Sequence, residues 1–213
     1  MKKTNNKGFS LVELIIVIAI MAILAGAIAP ALIRYIDKSR KSNDVSSAKT
    51  IKTAVETALG NEDIYAYLVT SPTTGKNAVI EFVPGKSTST AAAGAGSAVT
   101  STSAAMKISN CNDVSDASVA DVGALTISEI GTNIGEKIPK LKYGKANKDD
   151  KVSKCKETPQ SFYAVINNKG TVFVMISKSG ITDFTTVPGE GDAKVSEYTA
   201  AYPICPEACG AYQ

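Results

Sequence analysis

One carboxylate lies inside a long apolar run. From Phe9 to Ala29 the chain has 21 residues and a single charge, Glu13. About 20 apolar residues in a helix cross a hydrocarbon core ~30 Å thick. A carboxylate near the middle of such a span costs about 3 kcal/mol. A charge placed at that cost marks a functional group whose partner has to be found. Lys2, Lys3 and Lys7 lie just ahead of the run. Positive residues beside a membrane segment stay cytoplasmic, so the rest of the chain is expected outside.

A basic stretch before an apolar core also describes a secretory signal. Ala25-Gly26-Ala27 and Ala27-Ile28-Ala29 would each serve as small-residue cleavage sites. That reading discards Glu13 and leaves Gly8-Phe9 without purpose. A permanent anchor tethering a surface binding domain is a further reading.

The residues Lys7-Gly8-Phe9-Ser10-Leu11-Val12-Glu13-Leu14, followed by the apolar run and Pro30, resemble the amino terminus of type IV prepilins. With the amphipathic extension of the helix, the resemblance covers about 50 residues. It implies a leader of residues 1–8, cut after Gly8 by a prepilin peptidase that methylates the new amine of Phe9. It implies that Glu13 neutralises the Phe9 amine of a neighbouring subunit. Residues 9–30 would serve first as membrane span and then as filament core. Residues 31–213 would be a globular pilin head. The product would be a cell-surface filament of identical copies, built on an assembly platform, for adhesion, twitching motility or biofilm. A pseudopilin of a secretion or DNA-uptake machine shares the same amino terminus and is the alternative.

Composition narrows the partners. The formal net charge is +3. Three lysines lie in the leader, so residues 9–213 are formally neutral. No basic field over the head is expected, and no specific nucleic acid partner. There is no histidine, which removes the commonest general base. Gly85-Lys86-Ser87 lacks the earlier glycine of a phosphate-binding loop, since position 80 is Ile. Ser46-x-x-Lys49 lacks the companion motifs of penicillin-recognising enzymes. Asn112, Asp113 and Asp116 lack the spacing of a calcium loop. The expectation is a structural protein with no catalytic residue, cofactor or metal. Cys111, Cys155, Cys205 and Cys209 all fall in the outward part, where disulfides persist. Because Cys205–Cys209 would close only a tiny loop, each of the two is expected to reach back, one to Cys111 and one to Cys155. Three pairings are formally possible.

Periodicity supplies the elements. Val45, Ala48, Ile51, Val55 and Ala58-Leu59 recur at helical spacing, and Gly60-Asn61 is a stop signal. One helix of about 50 residues is predicted, with Pro30 as a bend or weak point. Residues 61–70 read as a short helix closed by Ser71-Pro72, and Ala78–Val83 as a strand. The Ser/Thr/Ala/Gly segment 86–105 has nothing large to bury. Residues 119–134 allow a helix facing inward through Val122, Leu125, Ile130 and Ile134. Phe162–Ile166 and Thr171–Ile176 flank Asn167-Asn168-Lys169-Gly170 and read as a hairpin. Ile181–Val187 reads as a third strand, and residues 198–213 as an irregular, stapled tail. The fold class is α+β: a long amino-terminal helix as spine, whose amphipathic half is covered by one face of an antiparallel sheet of three to five strands.

Overall fold

A computed structural model describes residues 8–69, 77–88, 100–102, 105–111, 119–135, 137–149, 151–182, 184 and 200–213. Residues 1–7 of the leader, Ser71-Pro72, Asn112, Asp113, Asp116 and most of segment 86–105 lie outside the described residues.

Helix α1 runs from Leu11 to Ala58 and continues through Pro30. It belongs to two compact units, divided between Ser39 and Arg40. In the first unit the large side chains are exposed on every side of the helix; Phe9 is 82% exposed and Ile23 73%. In the second unit the stripe Ala48, Ile51, Ala54, Val55 and Ala58 is buried, with Val45 and Leu59 packed at its margin. The stop signal works as read: the Gly60 amide donates to the Thr57 carbonyl and the Asn61 amide to that of Ala58. Asn61 then caps the next helix, α2 (Glu62–Leu68), its side chain accepting from the Asp63 amide.

Strand β1 (Ala78–Phe82) follows, then β2 (Thr100–Thr102), β3 (Met106–Ser109) and helix α3 (Val119–Ile134). Strands β4 (Ser161–Ile166), β5 (Val172–Ser177) and β6 (Tyr202–Cys205) complete the head. The sheet is antiparallel at every pairing, in the order β2-β3-β1-β4-β5-β6. It therefore has six strands, one more than the upper expectation. Three of the strands have no counterpart in the sequence reading: β2, inside the segment that read as featureless, β3, and β6, inside the tail that read as irregular.

The predicted hairpin is β4–β5, with Val165 opposite Phe173 and Phe162 opposite Ile176. Asn167 organises its turn: the side-chain oxygen accepts from the amides of Lys169 and Thr171. Gly170 sits at φ +75°, and a Cβ there would come within 3.0 Å of the Tyr65 ring. Both the backbone angle and the close approach require glycine.

The third strand beside the hairpin is not where the sequence put it. Ile181, Thr182 and Phe184 are not in a strand, and the remainder of 183–187 lies outside the described residues. The partner of β5 is β6, at Tyr202–Cys205. The reason lies in the second face of the sheet. Ile80, Phe82, Phe162, Ala164, Val174, Ile176 and Ile204 face the helices. Val79, Tyr163, Val165, Phe173 and Met175 face the other way and are buried too, under Phe184, Ala201 and Ile181. Ile181 and Phe184 thus serve as a cover for the sheet instead of a strand in it. Strands β1, β4 and β5 are buried throughout, and apolar but for Glu81, Ser161 and Ser177, because both faces exclude water, the pattern of a sheet covered on both sides. Helix α3 departs from the expectation at one residue: Ile130 is buried and Val122 and Ile134 pack against the core, but Leu125 is 38% exposed and Ile127 is buried in its stead.

Candidate functional site

Residues Gly8, Phe9 and Ser10 are exposed and precede the first helical residue. The Gly8–Phe9 bond therefore lies outside the hydrogen-bonded helix. Helix α1 begins one residue after Ser10, and the Ser10 amide donates to Oε2 of Glu13 at 3.0 Å. The Leu14 amide donates to the Ser10 carbonyl at 3.2 Å. This is half of a capping box: a carboxylate at the third helical position reaches back to the amide of the cap residue. The Ser10-x-x-Glu13 spacing signals it in sequence, and the sequence reading missed it. A carboxylate in the first helical turn also faces the positive end of the helix dipole. Glu13 is thus held at the start of the helix with its second oxygen still open to a cation.

From Leu11 to Ile33 the large apolar side chains are exposed. Length and composition suit this segment to a membrane crossing. An apolar surface of this extent has to be covered by lipid or by protein.

In the head, a second carboxylate was not anticipated. Asp44 is fully buried and accepts from the Lys142 amide at 2.7 Å and the Tyr143 amide at 2.8 Å. Burial raises its pKa, and the two amides and the Lys142 charge only partly offset that. The signal was present, since Asp44 is four residues before Ala48 and seven before Ile51, on the buried stripe itself. Around it, Lys41 lies 5.1 Å from the centre of the Tyr143 ring, and Tyr143 meets Tyr212 edge to face. This cluster fastens the connection after α3 to the helix.

On the far face of the sheet, Glu81 accepts from the hydroxyls of Tyr163 and Ser179 and from the Gly180 amide. Burial works to raise its pKa. The bonds from Ser179, Gly180 and Ser161, with Lys107 nearby, outweigh burial and leave it lowered.

All four cysteines are buried free thiols, so the expected disulfides are not formed in this structure. Cys111 donates to the Tyr67 hydroxyl at 2.9 Å. Burial raises the Cys205 thiol, with Lys52 and Lys49 of α1 acting against it. Cys155 and Cys209 both act on the Tyr202 phenol, whose pKa burial pushes up to about 12. Burial pushes Cys209 up to about 11, and Cys155 is near enough to add to the shift. Among the described residues no three His, Cys, Asp or Glu side chains converge to hold a metal.

The comparisons with known proteins agree with this geometry. Residues 3–29 match the prokaryotic N-terminal methylation motif. Over 57 residues the chain is 44% identical to a type IV major fimbrial protein, FimA, of Dichelobacter nodosus, covering 27% of this chain and 36% of that one. It is 51% identical over 54 residues to fimbrial protein Q of Moraxella bovis, 25% of this chain and 34% of that one. It is 36% identical over 62 residues to the type IV major pilin protein PilA of Myxococcus xanthus, 29% of this chain and 28% of that one. The matched stretch thus spans about a third of these relatives. No solved structure matches the chain. Residues 3–29 thus carry the N-terminal methylation motif ahead of a helix-on-sheet head, and the amino-terminal quarter of the chain is similar to type IV pilins and fimbrial proteins.

Proposed function

We propose that the chain is a structural subunit of a type IV pilus. A prepilin peptidase cuts the exposed Gly8–Phe9 bond and methylates the Phe9 amine. The 9–30 segment holds the subunit in the cytoplasmic membrane, and an assembly platform moves it into a filament of its own copies outside the cell. The observation that carries this reading is the helix half from Leu11 to Ile33. It is apolar on all sides, unburied by its own chain, and headed by a methylation motif with one carboxylate. Packing among such helices comes from close contact between side chains, since lipid is as apolar as leucine. Glu13 sets the register: a stagger that leaves it unpaired among apolar helices costs several kcal/mol, and one that meets a neighbour's Phe9 amine does not. Helices offset head to tail without closing give an open polymer. The relatives named as major pilins favour the filament over a pseudopilin.

The test is the intact mass of protein taken from membranes or surface filaments. Residues 9–213 plus one methyl group are expected. A mature start at Ile28 or Pro30 would establish ordinary secretion instead and end the reading.

The same reading puts the head in an oxidising place, where Cys155 and Cys209 are the favoured partners. Their thiols lose two electrons and two protons to a disulfide-bearing oxidant and form one bond. Non-reducing peptide maps of filament protein should show a peptide containing both. Four alkylatable thiols on native protein would exclude it.

A further inference from the structure

The formal neutrality of residues 9–213 conceals a sharp local excess of charge. Residues 137–156 carry eight lysines against two aspartates, a net +6. They form the connection between α3 and β4, which among its described residues has no helix and no strand beyond one bridge between Lys137 and Ser87. The connection is nevertheless tightly held. The Ile138 amide donates to the Lys86 carbonyl and the Gly85 amide to that of Ile138. Asp44 grips the amides of Lys142 and Tyr143. The Asn147 amide donates to the Tyr202 hydroxyl, and its side chain donates to the carbonyls of Asp149 and Ser153. Ile138, Ser153, Cys155 and Pro159 turn inward and are buried.

All eight lysines turn outward and are exposed. They recur every two or three residues, so the Cα atoms of successive lysines stand at most ~7–11 Å apart. Among the described residues, Lys137, Lys140, Lys142, Lys148, Lys151 and Lys154 form no ion pair. Six such cations on a fixed backbone are a preorganised contact for a linear polyanion.

We infer that this lysine ridge binds phosphodiester chains through their backbone phosphates, without reading their sequence. Two features favour such a chain over a folded acidic protein. Protein interfaces take their affinity from aromatic and apolar anchors in buried pockets. Here Tyr143 is occupied between Lys41 and Tyr212, and Leu141 and Val152 pack on the core. The ridge contains no arginine, so the bidentate forks that read base edges are missing. Lysine ammonium groups that release counterions from phosphates need neither feature. The ridge stands whether or not the chain assembles into filaments, and its test does not involve assembly.

The experiment uses the full chain in nanodiscs of zwitterionic phosphatidylcholine and measures fluorescence anisotropy. The probes are a labelled 30-nucleotide poly-dT, a labelled poly(glycerol phosphate) of similar charge number, and a labelled polyglutamate as a carboxylate control. Both phosphate chains should bind at 50 mM salt. With four to six phosphates engaged at a slope of about −0.7 each, affinity should fall roughly 50- to 340-fold by 200 mM. The variant K140Q/K148Q/K151Q/K154Q should bind at least tenfold more weakly with a shallower salt slope, and circular dichroism should show an unchanged fold. The variant K38Q/K49Q/K52Q/K169Q removes the same charge elsewhere and should stay within about twofold. A ridge variant that binds as the parent does, or a control variant that loses as much, would overturn the ridge. Polyglutamate bound as tightly as the phosphate chains would overturn the assignment to phosphate. Binding of poly-dT alone would place the contact on bases and overturn backbone recognition.

Discussion

The two parts of α1 follow one helical geometry and solve opposite problems. From Leu11 to Ile33 the helix carries Leu, Ile, Val and Met all round, and these side chains are exposed. From Arg40 to Ala58 it is polar except for one stripe, and that stripe is buried. Each part holds one carboxylate bonded to backbone amides. Glu13 takes one amide from its own turn and remains exposed. Asp44 takes two from a segment about 100 residues away and is fully buried. The contrast teaches where each part finds its partner. The second is completed by the head of the same chain. The first has a surface and a charge that only other molecules can complete.

The sharpest way to break this contrast is Glu13→Ala. Under the proposed function it should abolish or severely reduce filaments while membrane insertion, Gly8 processing and head stability stay intact. Electron microscopy of cells making only the variant decides it; normal filaments would show that the charge does not set register.

Next in size is a paired truncation. Ile51→Ala empties a fully buried site and should lower head stability by about 2–5 kcal/mol. Ile18→Ala removes the same atoms from an exposed position and should leave head stability within about 0.5 kcal/mol. Urea unfolding in detergent, followed by near-ultraviolet circular dichroism of the tyrosines, measures both. Equal losses would mean that the two parts are not energetically separate.

Asp44→Ala should cost about 1–3 kcal/mol, because it leaves the amides of Lys142 and Tyr143 unsatisfied beside the core. Amide exchange should quicken first at residues 138–147. Protection that falls evenly across the head would show that Asp44 supports the core at large and does not fasten that segment.

The smallest effect concerns pH. The folded-state pKa of Glu81 is lowered from the ordinary 4.5. Its stabilisation is therefore complete above pH 4.5 and is lost as pH falls through the lower folded value. Asp44 is raised in the fold, so the sign reverses: its charged form opposes folding at neutral pH, and that opposition eases as pH falls through the raised value. Glu81→Gln should flatten the acid limb of the stability curve, and Asp44→Asn should steepen it. Equal slopes in both variants would contradict these environments.

Much of the head was legible because its signals are local. Gly60-Asn61 ends one helix and caps another, as turn chemistry requires. Asn167-Asn168-Lys169-Gly170 encodes the β4–β5 hairpin in four residues. Helix α3 was bounded correctly, yet its inner face was mistaken at Leu125. A short periodic run fixes that a helix forms more firmly than it fixes the helix's rotation. The strand assigned to Ile181–Val187 failed for a different reason. An apolar run looks alike as a strand or as a cover over a strand, and only the pairing of β5 with β6 decides between them.

The sequence by itself determined the membrane-competent segment, the Gly8-Phe9 junction, the isolated Glu13 and the amphipathic spine. Each rests on residues within one or two helical turns, where spacing alone dictates which side chains share a face. Tertiary structure alone decided that both faces of the sheet are buried, that the tail supplies an edge strand, and that Asp44 grips the connection after α3. It also decided that the lysines of 137–156 form one exposed ridge. These are long-range facts. Irregular backbone has no period from which to read the direction of a side chain, so only its distant hydrogen-bond partners fix which side faces water.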